Sequence, residues 1–313
     1  MLEVSIIIPT YNRPSDLKEC VRSILGQTTK PRELIIVDDG YLEELPFKNE
    51  CETCGIRYIY HKKDTPGLTR SRNIGVKLAK SDIIFFLDDD TVLFPDYVEQ
   101  IMRVYQADSE ELIGGVGGAI ANYKPVRLEQ GIRKLVDVFF LVSGFDEGKV
   151  LPSGFCTNYG SSWSPLANIR EVDFLSGGVV SYRRNIFDEF MFDQRYEDYG
   201  LGEDKDFSYR VSRKFKLIYN PGAKVLHMES PDMRIDEVSY GRSLVRFRYR
   251  FFKEHVRKKD WHWLLFYYAL FGYTLDRTLI AVFSRDRRHF QRLLGVIKGI
   301  SEVVNVPRED KVQ

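Results

Sequence analysis

The chain has 313 residues, enough for one large or two modest domains with a real core. Apolar residues make up 43% and charged residues 29%, which excludes disorder and collagen-like sequence. Forty-six Lys and Arg against 45 Asp and Glu leave a net charge of +1, which excludes a globally basic nucleic-acid binder. The balance hides an asymmetry. Arg242 to Lys298 holds fourteen basic and four acidic residues, a local excess of +10 that leaves −9 for the rest.

In chain order, Val4-Ser5-Ile6-Ile7-Ile8 is a β-branched run stopped by Pro9, the pattern of a strand buried on both faces. Pro14 to Gly26 follows as a helix with Leu17, Val21, Ile24 and Leu25 on one face. Glu33–Val37 is a second buried strand ending in Asp38-Asp39-Gly40, and Ile56–Tyr60 a third. Gly67–Leu78 reads as a helix, Asp82–Leu87 as a strand ending in Asp88-Asp89-Asp90, Asp96–Tyr105 as a helix and Leu112–Ile120 as a Gly-rich strand. Residues 122–170 lack clean periodicity and read as a long irregular region near the site. A strand around Gly177-Gly178, a short helix over Glu203–Arg213 and two short strands around Pro221-Gly222 complete this part. The alternation predicts an α/β fold with a largely parallel sheet, whose ligands sit beyond the carboxyl ends of the strands. Those ends carry Thr10-Tyr11-Asn12, Asp38-Asp39 and Asp88-Asp89-Asp90.

Asp88-Asp89-Asp90 after a strand has the form of a DxD motif. Carboxylates at i and i+2 can hold one hard divalent cation, Mg²⁺ or Mn²⁺, which also accepts diphosphate oxygens. A solvated acidic turn gains nothing from three mutually repelling acids. Glu203-Asp204 follows Gly202 and opens a helix, a place where acidic residues are also favoured by the helix dipole. Cys51 and Cys54 form a CxxC, read as small loop residues, with a local disulfide or a metal clip as alternatives. Glu3 stands where a signal peptide needs basic charge, so the protein is expected to stay in the cytosol.

Val4 to Arg13, Ile35 to Gly40, Arg70-Ser71-Arg72-Asn73-Ile74-Gly75, Phe86 to Asp90, Ser176-Gly177-Gly178 and Gly202-Glu203-Asp204 together, in this order, resemble the inverting family 2 glycosyltransferases. The resemblance spans residues 4 to about 230 and implies a GT-A fold, a Rossmann-like mixed sheet flanked by helices that binds a nucleotide sugar. It implies that Pro9, Tyr11 and Arg13 line the base and ribose pocket, and that Asp39, with Asp38 beside it, accepts hydrogen bonds from the base. Arg70 or Arg72 would approach the phosphates. Asp88 and Asp90 would hold Mn²⁺ or Mg²⁺, with His227 as a further ligand, and Asp89, Gly177 and Gly178 would border the nucleotide sugar. Asp204 would be the general base, with Glu203 the alternative. The implied reaction moves a hexose of mannose, glucose or N-acetylglucosamine type from a UDP- or GDP-sugar to a lipid-linked acceptor. A polyprenyl-phosphate sugar synthase, a soluble-acceptor transferase, a nucleotidyltransferase and a non-catalytic nucleotide-sugar or glycan-binding scaffold are the competing readings.

The resemblance does not cover the tail. Residues 1–235 are expected to form the catalytic domain and residues 236–313 a basic-aromatic amphipathic helical region. Trp261, Trp263, Phe266, Tyr267, Tyr268, Phe271 and Tyr273 suit a headgroup boundary. Arg257-Lys258-Lys259 and Arg285, Arg287 and Arg288 flank them. The apolar stretch is interrupted by Asp276-Arg277, which favours helices lying on an anionic membrane surface at its cytoplasmic side over helices crossing it. The aromatics would otherwise form a second core or an oligomer interface. Nucleic-acid binding through Arg246 to Arg250 is the reading set aside.

Overall fold

In the computed structural model, residues 2–42, 47–122, 129–159, 168–196, 201–228, 235–284 and 286–305 are described, residues 129–132 by backbone alone. The chain divides into two units, Met1–Val126 with Asn158–Met233, and Arg127–Thr157 with Arg234–Gln313. The segment 127–157, expected within the first domain, belongs with the C-terminal unit instead.

The first unit is a mixed nine-stranded sheet between helices. β1 (Val4–Thr10), β2 (Glu33–Asp38), β3 (Arg57–Lys62) and β4 (Ile83–Leu87) run parallel in the order β3-β2-β1-β4. Alternate residues of β1 serve opposite cores: Val4, Ile6 and Ile8 face one and Ile7 the other. The first core is closed by α1 (Pro14–Leu25), α2 (Phe47–Thr53) and α4 (Tyr97–Gln106). The second is closed by α3 (Leu68–Leu78) and α6 (Glu203–Ser212). Cys51 and Cys54 are free thiols, but Cys51 is no loop residue: it lies in α2 and packs into the core, while Cys54 is exposed just after that helix.

Beyond β4 the sheet turns antiparallel through β8 (Val179–Arg183), then continues with β6 (Ile113–Ile120), β9 (Lys216–His227) and β5 (Thr91–Leu93), while β7 (Arg170–Val172) pairs with β9. Two sequence expectations change here. Gly177-Gly178 lies between β7 and β8, not inside one strand. Pro221-Gly222 lies inside β9, because the register against β6 slips there: Gly117 pairs with Tyr219 but Ala119 with Lys224. The extra residues form an irregularity that a proline, lacking its N–H, can occupy.

The second unit is helical: α5 (Glu129–Phe139), α7 (Glu237–Phe251), α8 (His262–Phe283) and α9 (Arg287–Val304), with a single π-turn over Phe252–Val256. Its core contains Phe155, Val245, Phe252, Phe266, Leu270, Tyr273 and Val296. α7 and α9 touch backbone to backbone. A Cβ on Gly295 would lie 2.0 Å from the Val238 carbonyl oxygen, and one on Gly241 2.3 Å from that of Arg292.

The tail aromatics divide. Phe266 and Tyr273 are buried, with Trp263 and Tyr267 packed against the same core, whereas Trp261, Tyr268 and Phe271 are exposed. Asp276, expected as an interruption, is buried and accepts hydrogen bonds from Arg133 at 2.7 Å and Arg277 at 2.6 Å. Among the described residues no helix is long and apolar enough to cross a membrane.

Replacing Gly295 by Val should force α7 and α9 apart and destabilise the second unit by at least the ~1–3 kcal/mol of an overpacked core. Urea unfolding of the full chain checks this; an unchanged midpoint would show that the helices can separate without loss.

Candidate active site

Parallel pairing sets the ends of β1, β2 and β4 along one edge. Thr10 pairs with Asp38, and Ile7 with Phe86, which brings Thr10 level with the residues just after β4. There Thr10 Oγ1 donates to Asp89 Oδ2 at 2.8 Å, and Arg13 Nη1 lies 3.2 Å from Asp89 Oδ1. Asp89 is buried, and desolvation pushes its carboxyl up to about 6, with Asp88 and Asp90 adding and Thr10 and Arg13 opposing. Asp90, also buried, meets His227 Nε2 at 3.2 Å across the Thr91–His227 pair of β5 and β9. One ligand atom each from Asp88, Asp90 and His227 lies within 4.8 Å of the others. Two carboxylates and an imidazole that converge in this way fit a divalent cation of the Mn²⁺ or Mg²⁺ class.

A second acidic pair approaches from α6. Glu203 is buried and ion-paired with the buried Arg72 guanidinium, whose other side lies 3.6 Å from Asp88. Burial pushes the Glu203 carboxyl up to about 8, Asp204 adds to this, and Arg72 opposes it. Burial alone would lower the Arg72 pKa, but Glu203, Asp88 and Asp204 more than offset it and the net direction is up. Desolvation and Asp90 push Asp88 upward against Arg72. Asp204 differs from its neighbour. Its carboxylate accepts the Gly177 N–H at 3.0 Å and the Lys205 N–H at 2.8 Å, and it borders an open cavity.

Gly177-Gly178 holds the two acidic groups together. A Cβ on Gly178 would stand 2.0 Å from Asp88 Oδ2, and one on Gly177 2.8 Å from Arg72 Nη2 and 2.9 Å from Asp204 Cβ. Only glycine lets the chain pass between Asp88 on one side and Arg72 with Asp204 on the other.

The other predicted residues separate by role. Tyr11 is exposed at the sheet edge, whereas Pro9 is buried within β1. Asp38 is fully buried and accepts from the Gly40 N–H at 2.8 Å, the Leu42 N–H at 3.1 Å and Tyr60 Oη at 2.8 Å, so its carboxylate builds the turn after β2. Asp39 binds the Gly67 N–H at 2.9 Å, Lys63 Nζ at 2.9 Å and the Ser71 hydroxyl, tying β2 to the start of α3. Arg70 is exposed and Arg72 is the arginine turned toward Asp88.

Sequence reasoning passed over the cavity beside Asp204. Its volume is about 180 Å³, and its lining includes Asn158, Tyr159, Phe174, Lys205 and Tyr219. These come from segments far apart in the chain; the one signal was the aromatic, irregular character of the region ending near residue 170.

Residues 5–151 match the model described as Glycosyl transferase family 2. The match takes in just under half of the chain, and its last part, residues 127–151, belongs to the second unit. A glucosyl-dolichyl phosphate glucuronosyltransferase of Haloferax volcanii is 26% identical over 189 residues, 59% of this chain and 54% of that protein. An uncharacterized glycosyltransferase of Rickettsia felis is 36% identical over 60% of this chain and 28% of its own length. This chain therefore spans about half of the first relative and under a third of the second. A mannosyltransferase from Pyrobaculum calidifontis, solved with GDP-mannose and Mn²⁺, superposes with a TM-score of 0.57 at 12% identity, covering 97% of this chain and 87% of that one. The fold is the GT-A glycosyltransferase fold, a mixed sheet flanked by helices.

Gly178→Ala places a methyl group where Asp88 stands, so Mn²⁺ affinity measured by calorimetry should fall about 10–100-fold, the usual effect of disturbing a ligand's support. Unaltered affinity would remove Asp88 from the cation site.

Proposed function

We propose that the chain is a metal-dependent, inverting glycosyltransferase that moves a hexose from a UDP- or GDP-sugar to a lipid-linked acceptor at a membrane surface. The observation that carries this reading is the convergence of the Asp88-Asp90-His227 cluster and the cavity-facing Asp204 on the two sides of Gly177-Gly178. The Mn²⁺ and GDP-mannose of the Pyrobaculum structure and the dolichyl phosphate in the name of the Haloferax relative support the donor, cation and acceptor classes.

In this reading Asp88, Asp90 and His227 hold the cation, which supplies the positive charge that stabilises a leaving diphosphate. Arg13 neutralises Asp89 beside it, and Tyr11 lies at the exposed edge where a base can stack. Asp38 holds the turn after β2 and Asp39 ties β2 to the start of α3, which shapes the sheet edge beside the site. Asp204 accepts the proton of the acceptor hydroxyl as its oxygen bonds to the anomeric carbon. The bond from that carbon to the diphosphate oxygen breaks, its electron pair leaves with the diphosphate, and attack from the opposite face inverts the centre. Glu203 is buried and held against Arg72, away from the cavity, which leaves Asp204 as the base.

The membrane part of the proposal rests on α8. One face enters the core, and the other exposes Trp261 at the helix start followed by Leu264, Tyr268, Phe271, Leu275, Leu279 and Val282 at spacings of three and four. A helix apolar on both faces lacks a solvent side. Lys258 and Lys259 precede the stripe, and Arg287 and Arg288 follow it in α9, all exposed; Arg285 lies outside the described residues. Basic residues near an anionic surface contribute about 1 kcal/mol each, and interfacial helices bury such an apolar stripe in the headgroup boundary. A chain held there meets acceptors that are themselves held at the bilayer.

Asp204→Asn should cut turnover by about 10²–10⁴-fold while calorimetry still detects nucleotide binding. A full loss with Glu203→Gln and none with Asp204→Asn would reassign the base. Vesicles containing anionic lipid should float the full chain, and the double change Leu264→Asp, Phe271→Asp should leave it at the bottom of the gradient. If the parent chain stays at the bottom at low salt, the membrane part of the proposal fails.

A further inference from the structure

We infer that the cavity beside Asp204 is an acceptor-sugar subsite, which takes a pyranose ring and presents one of its hydroxyls as the nucleophile. The chain would then extend an existing saccharide and would not glycosylate a polyprenyl phosphate directly. The inference rests on the glycosyltransferase reading above and names the acceptor class of that same site.

The cavity is amphipathic in the way a pyranose is. One wall is aromatic: the Tyr159 ring lies 4.7 Å from Tyr219 and 5.5 Å from Phe174, centroid to centroid. Tyr159 is also fixed at its tip, because its Oη accepts the Ser176 N–H at 3.0 Å. The other side is polar. Lys205 Nζ sits 4.9 Å above the Phe174 ring and donates to Asn158 Oδ1 at 3.2 Å, and Asp204 lines the same cavity. A sugar ring offers C–H faces for the rings and equatorial hydroxyls for Asn158, Lys205 and Asp204. Binding sites for small molecules combine apolar walls with a few placed polar groups in this manner. A volume of about 180 Å³ suits a single ring, with the remainder of the acceptor outside.

Charge separates the two acceptor classes. Among the described lining residues Lys205 is the one cation and Asp204 the one carboxylate. The pair sums to zero, so a phosphate entering here meets a carboxylate with no surplus positive charge to offset it, whereas phosphate sites gather Arg, Lys or free N–H groups. The two N–H groups near Asp204 are already engaged by its own carboxylate. A phosphate nucleophile also arrives ionised and needs no base. A sugar hydroxyl does, and a carboxylate aimed by two backbone hydrogen bonds is what it requires.

The test uses the full chain with a panel of octyl pyranosides of gluco, manno, galacto and N-acetylglucosamine configuration, and with polyprenyl phosphate in detergent. Ligand binding is read by saturation-transfer NMR, and transfer and donor cleavage are read with UDP- and GDP-sugars. At least one pyranoside should show saturation transfer at its ring protons and form product. Tyr159→Leu and, separately, Lys205→Met should each raise the KM for that pyranoside about tenfold or more, and by more than the KM for the donor. Donor cleavage with transfer only to polyprenyl phosphate, or variants that leave the pyranoside KM untouched, would overturn the inference. Pyranoside binding that both variants abolish, in a chain that cleaves no donor, would uphold the subsite and sink the glycosyltransferase reading instead. Absence of both binding and cleavage would overturn the two together.

Discussion

The Arg72 guanidinium is the charge on which the candidate site depends. Asp88, Glu203 and Asp204 gather around it from two elements distant in sequence, and burial penalises the ionised forms of Asp88 and Glu203. Without a cation of its own, the chain would meet this repulsion by taking up protons or by opening. Arg72 is itself buried, packed near the Phe192 ring at 5.4 Å, and its Nε has no hydrogen-bond partner among the described residues. Removing one partner of a buried pair costs about 3–5 kcal/mol, because the other charge remains in place. The pair links α6 to α3 and divides Glu203-Asp204 into an inward anchor and an outward carboxylate.

Steric economy completes what the charge begins. Asp88 and Asp204 face one another across a strand start that must have no side chains, and Gly177-Gly178 supplies that gap. Mixed topology makes this possible. β8 enters antiparallel to β4, so the beginning of β8 lies against the end of β4, and Gly178 accepts the Asp88 N–H at 3.1 Å. In a wholly parallel sheet the end of β4 would face the end of its neighbour, and the glycines would sit elsewhere.

The second unit solves a different problem with the same helical periodicity. α8 has to fill a core with Phe266, Leu270 and Tyr273, and it also carries an apolar stripe on its opposite face. Asp276 survives inside this helix because Arg133 and Arg277 satisfy its carboxylate. A charge that looks like a break in hydrophobicity is thus a fastening between α8 and α5, and the exposed stripe runs past it from Leu264 to Val282.

Local pattern was sufficient for β1, β2, β4, α1, α3 and α4, since β-branched runs, proline at a helix start and helical spacing each act over a few residues. It was sufficient too for placing three strand ends, two of them acidic, at one sheet edge, because parallel pairing demands it. α2 and β5 escaped it, being short. Pro221-Gly222 looked like a break, yet β9 passes through, because the register slip against β6 absorbs the extra residues. The tail aromatics could not be sorted into core and surface from composition, since Trp263 and Trp261 differ only in which way the helix turns them. By itself the sequence determined the kinds of groups present: carboxylates after strands, a glycine pair, a basic-aromatic tail. Only the tertiary structure decided that Glu203 turns toward Arg72 and Asp204 toward a cavity floored by Tyr159, Phe174 and Tyr219. Which of two adjacent acids is buried depends on what the rest of the chain packs against each, and no spacing along the chain encodes that.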